Sequence, residues 1–302
     1  MNKIKRIIWE VVRTVTRCIP KGKNFLIYSS LAILGNDYDG VIKVKGGVKF
    51  YVNKITSIKR GLFFLNQYYE KDEENLIRKI VKPGDCVFDL GANFGWYSVM
   101  ISKLVGNKGR VYAIEMEPEL AGELKRTLDI NDCKNVVVEN MAVGNEIKDV
   151  ELFYSKEQGQ ANFLEYMVTF RAPKGEKTIK KTVPMVILDS YVKQNNVGKI
   201  NLIKCDIDGS EIFFLRGAKL VLSSNPLMII EAYEFIQELF GFSMKQLIKE
   251  IEQYGYELFV IERDFLRVTS DDMPPKMKVN LFCVPKGRVS EFEFLRQKIN
   301  FI

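Results

Sequence analysis

The chain has 302 residues and a mass of 34.9 kDa, which is enough for a substantial buried core. Its 47% hydrophobic and 27% charged residues are typical of a globular protein. The absence of histidine excludes Ser-His-Asp and Cys-His nucleophile systems, HExxH zinc sites and imidazole acid–base catalysis. The five cysteines are dispersed without a CxxC pair, which disfavours a thiolate metal site and predicts reduced thiols in a cytoplasmic protein.

The positive charge is concentrated at the amino-terminal end. Of the net charge of +7, residues 1–23 carry +6, with seven basic residues against one acid. The remaining chain is close to neutral, whereas nucleic-acid-binding proteins usually present a strongly basic face. We therefore expect no nucleic-acid partner.

The same segment has the periodicity of an amphipathic helix. Its aliphatic residues recur at helical spacing, at Ile4, Ile7, Ile8, Val11, Val12 and Val15. One interpretation is a helix on an anionic membrane surface, with Trp9 as an interfacial anchor, which would make the protein peripheral on the inner membrane surface. The other is a helix packed on the body with its polar side solvated. Glu10, Arg13 and Arg17 interrupt any secretion-signal core, and the apolar run 25–34 is about half a bilayer span.

A hairpin and a helix come next along the chain. Residues 40–56 alternate around Gly46-Gly47, which predicts a β-hairpin. Residues 70–81 have helical periodicity that ends at Pro83-Gly84. We therefore divide the chain into a helix and hairpin extension, residues 1–67, and a second domain, residues 68–302.

From residue 85 onward, strands and helices alternate. The predicted main strands are residues 87–90, 110–115, 136–139, 200–205, 227–232, 256–261 and 279–284. A short extra strand is predicted at 150–153, a loop or lid at 155–182, and a capping box at Ser243 and Gln246. This order predicts an α/β fold with a doubly wound, mostly parallel seven-stranded sheet and ligands at the carboxyl ends of its strands.

Residues 85–98, DCVFDLGANFGWYS, combine a strand, two glycines and a helix start. Gly91 and Gly95 permit a sharp turn and a close approach of ligand to backbone, and N–H groups at the helix start point into the crevice. Asp89 stands where a dinucleotide fingerprint has its first glycine, and the two glycines are spaced by four rather than three. Because a carboxylate there repels a pyrophosphate but suits a sulfonium or ammonium, the loop favours S-adenosylmethionine over a nicotinamide dinucleotide. A tight turn without a ligand is the structural alternative.

Two later strand ends carry further candidate cofactor contacts. Glu115 ends the second strand, 26 residues after Asp89, where an acid can accept both ribose hydroxyls. Asn140 and Met141 end the third strand, where an amide could read an adenine edge and a thioether could cover its face. A solvated acid and a turn asparagine are the alternatives.

These motifs together resemble the FkbM-type methyltransferases, a branch of the class I S-adenosylmethionine-dependent enzymes with a Rossmann-like fold. The resemblance runs from about residue 68 to 235 through the segments DLGANFGWYS, YAIEMEPE, NMAVGN and LIKCDIDGSEIFFLRGA. It implies that Asp89, Gly91, Asn93 and Gly95 form the cofactor loop, that Glu115 holds the ribose and that Asn140 lies near the adenine. It also implies methylation of a hydroxyl on a sugar, glycan or small-molecule acceptor.

The acids after the fourth strand are the candidate catalytic groups. Where the family usually has D-V-E-G-x-E, this chain has Asp206-Ile207-Asp208-Gly209-Ser210-Glu211. An alcohol needs a base to accept its proton, and without histidine Asp206 is the first candidate and Glu211 the second. Capping of the following helix is the alternative role for these acids. Asp206 with Glu231, on neighbouring strand ends, could instead hold Mg²⁺.

Two other functions remain open at this point. A nucleic-acid methyltransferase is disfavoured by the near-neutral body and by CDID at the fourth strand in place of an Asn/Asp-Pro-Pro-Tyr segment. A non-catalytic cofactor-binding or membrane-associated scaffold is disfavoured by the complete set of cofactor-loop residues.

Overall fold

A computed structural model of the chain describes residues 3–44, 46–66, 70–155, 161–162, 178–262, 265–272 and 278–296. Within these ranges, no helix combines the length and apolar character that a membrane span requires.

The first part of the chain forms two helices, a hairpin and a third helix. These are α1 (Lys3–Cys18), α2 (Lys23–Leu34), β1 (Asp37–Lys43), β2 (Lys49–Lys54) and α3 (Ser57–Leu65). The predicted hairpin is confirmed, since β1 pairs antiparallel with β2. Gly46 and Gly47 both have positive φ, which a tight connection between twisted strands requires.

The other helices and strands alternate along the rest of the chain. The helices are α4 (Lys71–Ile80), α5 (Trp96–Val105), α6 (Pro118–Ile130), α7 (Leu188–Gln194), α8 (Glu211–Arg216), α9 (Lys219–Ser223), α10 (Glu234–Leu239), α11 (Met244–Gln253), α12 (Glu293–Arg296) and a 3₁₀ helix (Lys286–Glu291). The strands are β3 (Cys86–Leu90), β4 (Arg110–Ile114), β5 (Val136–Glu139), β6 (Ala142–Gly144), β7 (Lys148–Ser155), β8 (Ala161–Asn162), β9 (Thr178–Ile187), β10 (Leu202–Cys205), β11 (Leu227–Tyr233), β12 (Tyr256–Val260), β13 (Leu266–Val268) and β14 (Lys278–Pro285).

The main sheet confirms the predicted architecture. Its strand order is β13-β12-β14-β11-β10-β3-β4-β5, and it contains all seven predicted strands. The strands from β5 to β11 run parallel, and β14 is antiparallel to both of its neighbours. The short edge strand β13 is an eighth member that the sequence did not predict, because three residues are too few to show a period. The capping box at Ser243 and Gln246 is confirmed at the start of α11.

A second, smaller sheet corrects the prediction for residues 155–182. Its order is β6-β9-β7-β8, so the predicted strand at 150–153 is real and lies in this sheet. Residues 178–182 are not a loop, because β9 begins at Thr178 and pairs antiparallel with β7. The charged, glycine-containing stretch obscured this strand in the sequence. Residues 156–160 and 163–177 of the predicted lid lie outside the described residues.

The amino-terminal helices and hairpin pack behind the cofactor loop. Phe50 of β2 stacks on Trp96, with ring centroids 5.3 Å apart, and meets Phe94 edge-on at 5.7 Å. Lys59 of α3 forms a buried ion pair with Glu123 of α6. These apolar and ionic contacts support α5, α6 and the loop that precedes α5.

The orientation of α1 differs from the interpretation in which its polar side is solvated, and it also changes the role of Trp9. Trp9 is fully buried between the rings of Phe63 and Phe64, so its predicted role as an interfacial anchor is wrong. Arg13 is buried beside it and donates from Nε to the Phe63 carbonyl, 2.9 Å away. The helix does pack on the body, but its aliphatic side, not a polar side, faces the solvent.

Candidate active site

The loop between β3 and α5 begins with a buried carboxylate. Asp89 lies in β3 and is 1% exposed. Its Oδ2 accepts a hydrogen bond of 2.5 Å from Ser98 Oγ, whereas its Oδ1 is buried and accepts none from any described residue. Burial raises the pKa of Asp89, and the nearby Lys204 ammonium opposes that rise. The carboxyl group therefore has one oxygen available for a ligand donor.

Gly91 brings this loop against the end of β10. It has a φ of +79°, and a Cβ placed on it would lie 1.8 Å from the carbonyl oxygen of Asp206. Its N–H donates to the Ile114 carbonyl at 2.9 Å, which ties the bend to β4 as well. Only glycine fits this position, because both the backbone conformation and the space exclude a side chain.

Glu115, directly after β4, holds the next part of the loop. Its Oε2 accepts from the backbone N–H of Asn93 at 2.7 Å, and its Oε1 from that of Glu117 at 2.8 Å. Burial raises the pKa of Glu115 to about 7, and these two hydrogen bonds moderate the rise. Asn93 has a φ of +51°, a conformation that asparagine tolerates better than most residues. Glu115 thus shapes the loop and leaves lone pairs for further donors.

Asn140 and Met141 lie beside Glu115. Asn140 Nδ2 donates to the carbonyl oxygens of Glu115 and Met116, both at 2.9 Å. Because both N–H donors are used by the main chain, a contact from Asn140 to adenine would have to use its side-chain oxygen. The Met141 side chain is buried in the main core.

Asp206 follows β10 at the other side of the Gly91 bend. Its side chain is 26% exposed, and its Oδ2 lies 3.3 Å from the Lys204 ammonium. Lys204 is itself buried, lies 4.5 Å above the Tyr97 ring and is 3.7 Å from Glu73 Oε1. Burial would lower the pKa of Lys204, but the carboxylates of Asp206, Glu73 and Asp89 raise it above its usual value. A permanently charged lysine therefore holds one oxygen of Asp206.

Glu211 is fully occupied within the protein. Its Oε1 accepts from the N–H groups of Ile207 and Gly209, at 3.2 and 3.1 Å, and its Oε2 accepts from Gln237 Nε2. The side chain is buried, and burial raises its pKa to about 7. The geometry favours a positioning role, in which Glu211 fixes the turn that follows Asp206, over direct contact with an acceptor.

Three acids meet at the strand ends, but lysines already neutralise two of them. Carboxylate oxygens of Asp206, Asp208 and Glu231 lie within 4.8 Å of one another. Lys278 Nζ is 2.7 Å from Glu231 Oε1, and Lys204 lies against Asp206. Burial and the Asp206 charge raise the pKa of Glu231 to about 8. Since two of the three acids already have an ammonium partner, the donor set does not fit the Mg²⁺ considered from the sequence, and we assign no step to a metal.

Comparison with known proteins agrees with this geometry. Residues 89–258, more than half of the chain, match the family described as the methyltransferase FkbM domain. The chain belongs to the FkbM methyltransferase family. This confirms the resemblance drawn from the sequence motifs.

Individual relatives of this FkbM family member match only parts of it. Hexuronic acid methyltransferase AglP from Haloferax volcanii is 24% identical over 54% of this chain and 62% of its own length. Protein-L-isoaspartate O-methyltransferase from Aeropyrum pernix is 41% identical over 18% of this chain and 22% of its own length. The chain thus spans less than two thirds of either relative. An S-adenosylmethionine-dependent O-methyltransferase structure from Thermotoga maritima, 13% identical, covers 84% of this chain and 80% of its own at a TM-score of 0.43.

The residues of this FkbM domain fit the methyl donor that the family implies. Two buried carboxylate oxygens, Asp89 Oδ1 and Glu117 Oε2, accept no hydrogen bond from the described part of the chain. Asp89 lies near the end of β3, and Glu117 follows the neighbouring parallel strand β4. Ligands of such sheets bind at these strand ends. S-adenosylmethionine offers an ammonium group and ribose hydroxyls as donors for such oxygens. A buried acceptor without a hydrogen-bond donor costs folding free energy, so the binding of a ligand that supplies a donor is favoured.

Two site residues were missed by sequence reasoning. Glu73 lies on the buried side of α4 with Leu76, Ile77 and Ile80, and burial raises its pKa to about 7. The spacing of three, four and seven residues from those apolar neighbours is the signal that could have placed it inside. Glu117 lies in the quoted YAIEMEPE segment, but its burial depends on the connection between β4 and α6. The local sequence pattern therefore does not indicate that it is buried.

Proposed function

We propose that this protein is an S-adenosylmethionine-dependent O-methyltransferase that acts on a hydroxyl of a sugar, glycan or small-molecule acceptor. The observation that carries the proposal is the state of Asp206. One of its carboxylate oxygens is held by Lys204, and the other accepts no hydrogen bond from a described residue, on a side chain that reaches solvent beside the Gly91 bend. That arrangement suits a base which receives a proton from an incoming hydroxyl.

S-adenosylmethionine supplies an electrophilic methyl group on a positively charged sulfur. The acceptor oxygen forms a bond to the methyl carbon as the carbon–sulfur bond breaks, and Asp206 takes the hydroxyl proton. Three acids, Asp89, Asp206 and Glu73, lie around one buried ammonium group, that of Lys204. Because acids outnumber the cation here, the crevice favours a positively charged methyl donor. The remaining task of the protein is to align the two reactants and exclude water.

The surroundings of Asp206 support a neutral acceptor over an anionic one. Asp208 places a further carboxylate within 4.8 Å of the Asp206 carboxylate, which would repel a carboxylate acceptor more than a hydroxyl. The name of AglP, a hexuronic acid methyltransferase, supports a sugar derivative as the acceptor class, and because a hexuronic acid has both hydroxyls and a carboxyl group, the alkali stability of the product distinguishes the two. Cofactor contacts are assigned to Asp89, Gly91, Asn93, Gly95 and Glu115, with Asn140 and Met141 behind them, and Glu211 is assigned to positioning.

The test replaces Asp206 by Asn and compares methyl transfer and cofactor affinity. We expect turnover to fall by roughly 10²–10⁴-fold, the usual contribution of a general base, while S-adenosylmethionine affinity measured by calorimetry stays within a few-fold. Asp208→Asn is the matched control, because Asn tolerates the φ of +48° at this position and the same local charge is removed. Equal losses in the two variants would remove Asp206 from the role of base.

The acceptor class is read from the product. Mass spectrometry of sugars, glycans and small hydroxylated acceptors should show the gain of one CH₂, in a bond that survives mild alkali as an ether does. Loss of the added CH₂ mass in alkali would indicate a methyl ester, and hence a carboxylate acceptor. In excess chelator we expect full methyltransferase activity. With RNA or DNA offered as the acceptor we expect no methyl transfer. Binding of NAD in place of S-adenosylmethionine would overturn the proposed donor.

A further inference from the structure

The solvent side of α1 carries a continuous apolar strip, here called the outer stripe. Its members are Ile4, Ile7, Ile8, Val11 and Val15, each between 40% and 65% exposed. They recur every three or four residues and cover about 100° of the helix circumference. Exposed aliphatic side chains scattered singly are ordinary on a protein surface, whereas a contiguous stripe of five is typical of an interaction site.

The outer stripe is not a side of α1 that would normally be buried in the core and is exposed here by a rotated helix. The opposite side of α1 is anchored by the buried Trp9 and by Arg13, which donates to the Phe63 carbonyl. One turn later, Arg17 donates from Nε to the Phe64 carbonyl at 3.0 Å. Rotation of the helix to bury the stripe would expose the tryptophan and break these hydrogen bonds. The fold therefore presents the aliphatic face outward.

The next helix adds larger apolar groups close by. α2 packs against α1, and its Phe25 and Ile33 are 79% and 81% exposed. Lys21, between the two helices, and Lys23, the first residue of α2, provide positive charge. The helix that packs against α1 thus also exposes large apolar side chains.

Cations border the outer stripe, and the one acid there is neutralised. By the 3.6-residue repeat, Lys3 and Lys5 lie on opposite flanks of the stripe, whereas Arg6 lies on the same side of the helix as Arg13. Among the described residues, none of these three forms an ion pair. Glu10 is paired with Arg13, whose NH1 is 2.7 Å from Glu10 Oε2. The surface around the stripe is therefore positively charged, while the body is close to neutral.

We propose that the outer stripe and its basic border dock onto an anionic lipid bilayer, with α1 lying in the plane of the membrane surface. Aliphatic side chains flanked by lysine and arginine match the acyl boundary and the lipid phosphates at once. A second copy of the chain fits less well, because pairing the same face twice would oppose like charges. This inference does not depend on the proposed function, since its readout is lipid binding alone.

The test is sedimentation of the full chain with vesicles. We expect binding to vesicles of phosphatidylcholine with phosphatidylglycerol, weak binding to phosphatidylcholine alone, and release at high salt. Ile7→Ser with Val11→Ser should lower the partition to anionic vesicles by roughly tenfold or more, because the lost apolar surface no longer enters the acyl boundary. Lys3→Gln with Lys5→Gln should lower it as well and weaken its salt dependence.

Matched controls use exposed residues far from α1 in sequence. Ile147→Ser with Leu220→Ser removes equally exposed aliphatic side chains, and Lys108→Gln with Lys125→Gln removes two exposed charges. Both control variants should bind as the unaltered chain does. Equal losses in stripe and control variants, or equal binding to neutral and anionic vesicles, would overturn the proposal. So would a concentration-dependent dimer, seen by light scattering without lipid, that Ile7→Ser with Val11→Ser abolishes.

Discussion

Replacement of Gly91 by Ala is the most direct test of how the cofactor loop is built. A Cβ at this position would lie 1.8 Å from the carbonyl oxygen of Asp206 and 2.9 Å from its carbonyl carbon. Real Cβ atoms do not approach such neighbours more closely than 3.0 Å. Neither partner can move easily, because Asp206 N–H donates to the Leu90 carbonyl at 3.0 Å and Gly91 N–H to the Ile114 carbonyl.

The cost of this substitution has two parts. The φ of +79° costs a residue with a side chain about 1–2 kcal/mol. The enforced shift of packed backbone costs about 1–3 kcal/mol more. At about 2 cal/mol/K of unfolding entropy per residue, the sum lowers the melting temperature of this chain by roughly 3–8 °C. Since the end of β3 and Asp206 move apart, S-adenosylmethionine affinity and methyl transfer should fall together.

Two further glycines separate the contributions. Gly106 has a φ of +63° but no atom within 4 Å of the position that a Cβ would take, so Gly106→Ala should show the conformational cost alone. Gly122 lies within α6 with open space around it, and Gly122→Ala should be neutral or stabilise by up to about 1 kcal/mol. The assay is thermal unfolding of all three variants with and without S-adenosylmethionine. A Gly91→Ala melting temperature equal to that of Gly106→Ala would refute the steric argument.

Two other predictions concern buried charge. Burial raises the pKa of Glu115 and of Glu211 from 4.5 to about 7. Because the folded protein holds these protons more tightly than the unfolded chain, their contribution to the free energy of unfolding is complete below pH 4.5 and is lost as the pH rises through about 7. The loss is on the order of 3 kcal/mol for each group. Thermal unfolding between about pH 5 and 8 should show this decline, Glu115→Gln should make it shallower, and a steady rise with pH would contradict it. Lys59→Met should cost about 3–5 kcal/mol in urea unfolding, because it leaves the Glu123 carboxylate buried without its partner, whereas Lys59→Met with Glu123→Leu should recover most of the loss. Equal stability of the single and double variants would show that the ion pair is not what holds α3 to α6.

The main sheet was predictable because its strands are short, apolar and separated by strong helix signals. Strands such as β3 and β10 are buried on both faces and are apolar except for one charged residue each, and Pro118 and the capping box at Ser243 mark helices of the alternating series. The second sheet was harder to predict. In β9 charged residues precede the apolar ones, so its first half has the composition of a loop, and only its pairing with β7 makes it a strand.

The orientation of α1 could not be read from its periodicity. An amphipathic pattern reports that one side of a helix is apolar, and the usual inference is that this side is buried. Here burial is achieved by Trp9 with Arg13 and Thr16, of which two are polar, while the aliphatic side stays outside. What decides the orientation is a tertiary feature, the pair of aromatic rings at Phe63 and Phe64 together with their carbonyl groups, which lies about fifty residues away in sequence.

The candidate site shows the same division between local and tertiary information. Asp89, Gly91 and Asp206 follow from strand ends and from a bend that needs glycine, and parallel pairing of β3 with β10 brings them together. The partners that set their charge come from elsewhere. Lys204 lies within an apolar strand, where a lysine is unexpected, and its charge is stabilised there by Asp206 and by Glu73, which arrives from α4. The chemistry of Asp206 thus depends on a buried lysine whose own burial depends on a third element, so the three residues are expected to be retained or lost as a unit.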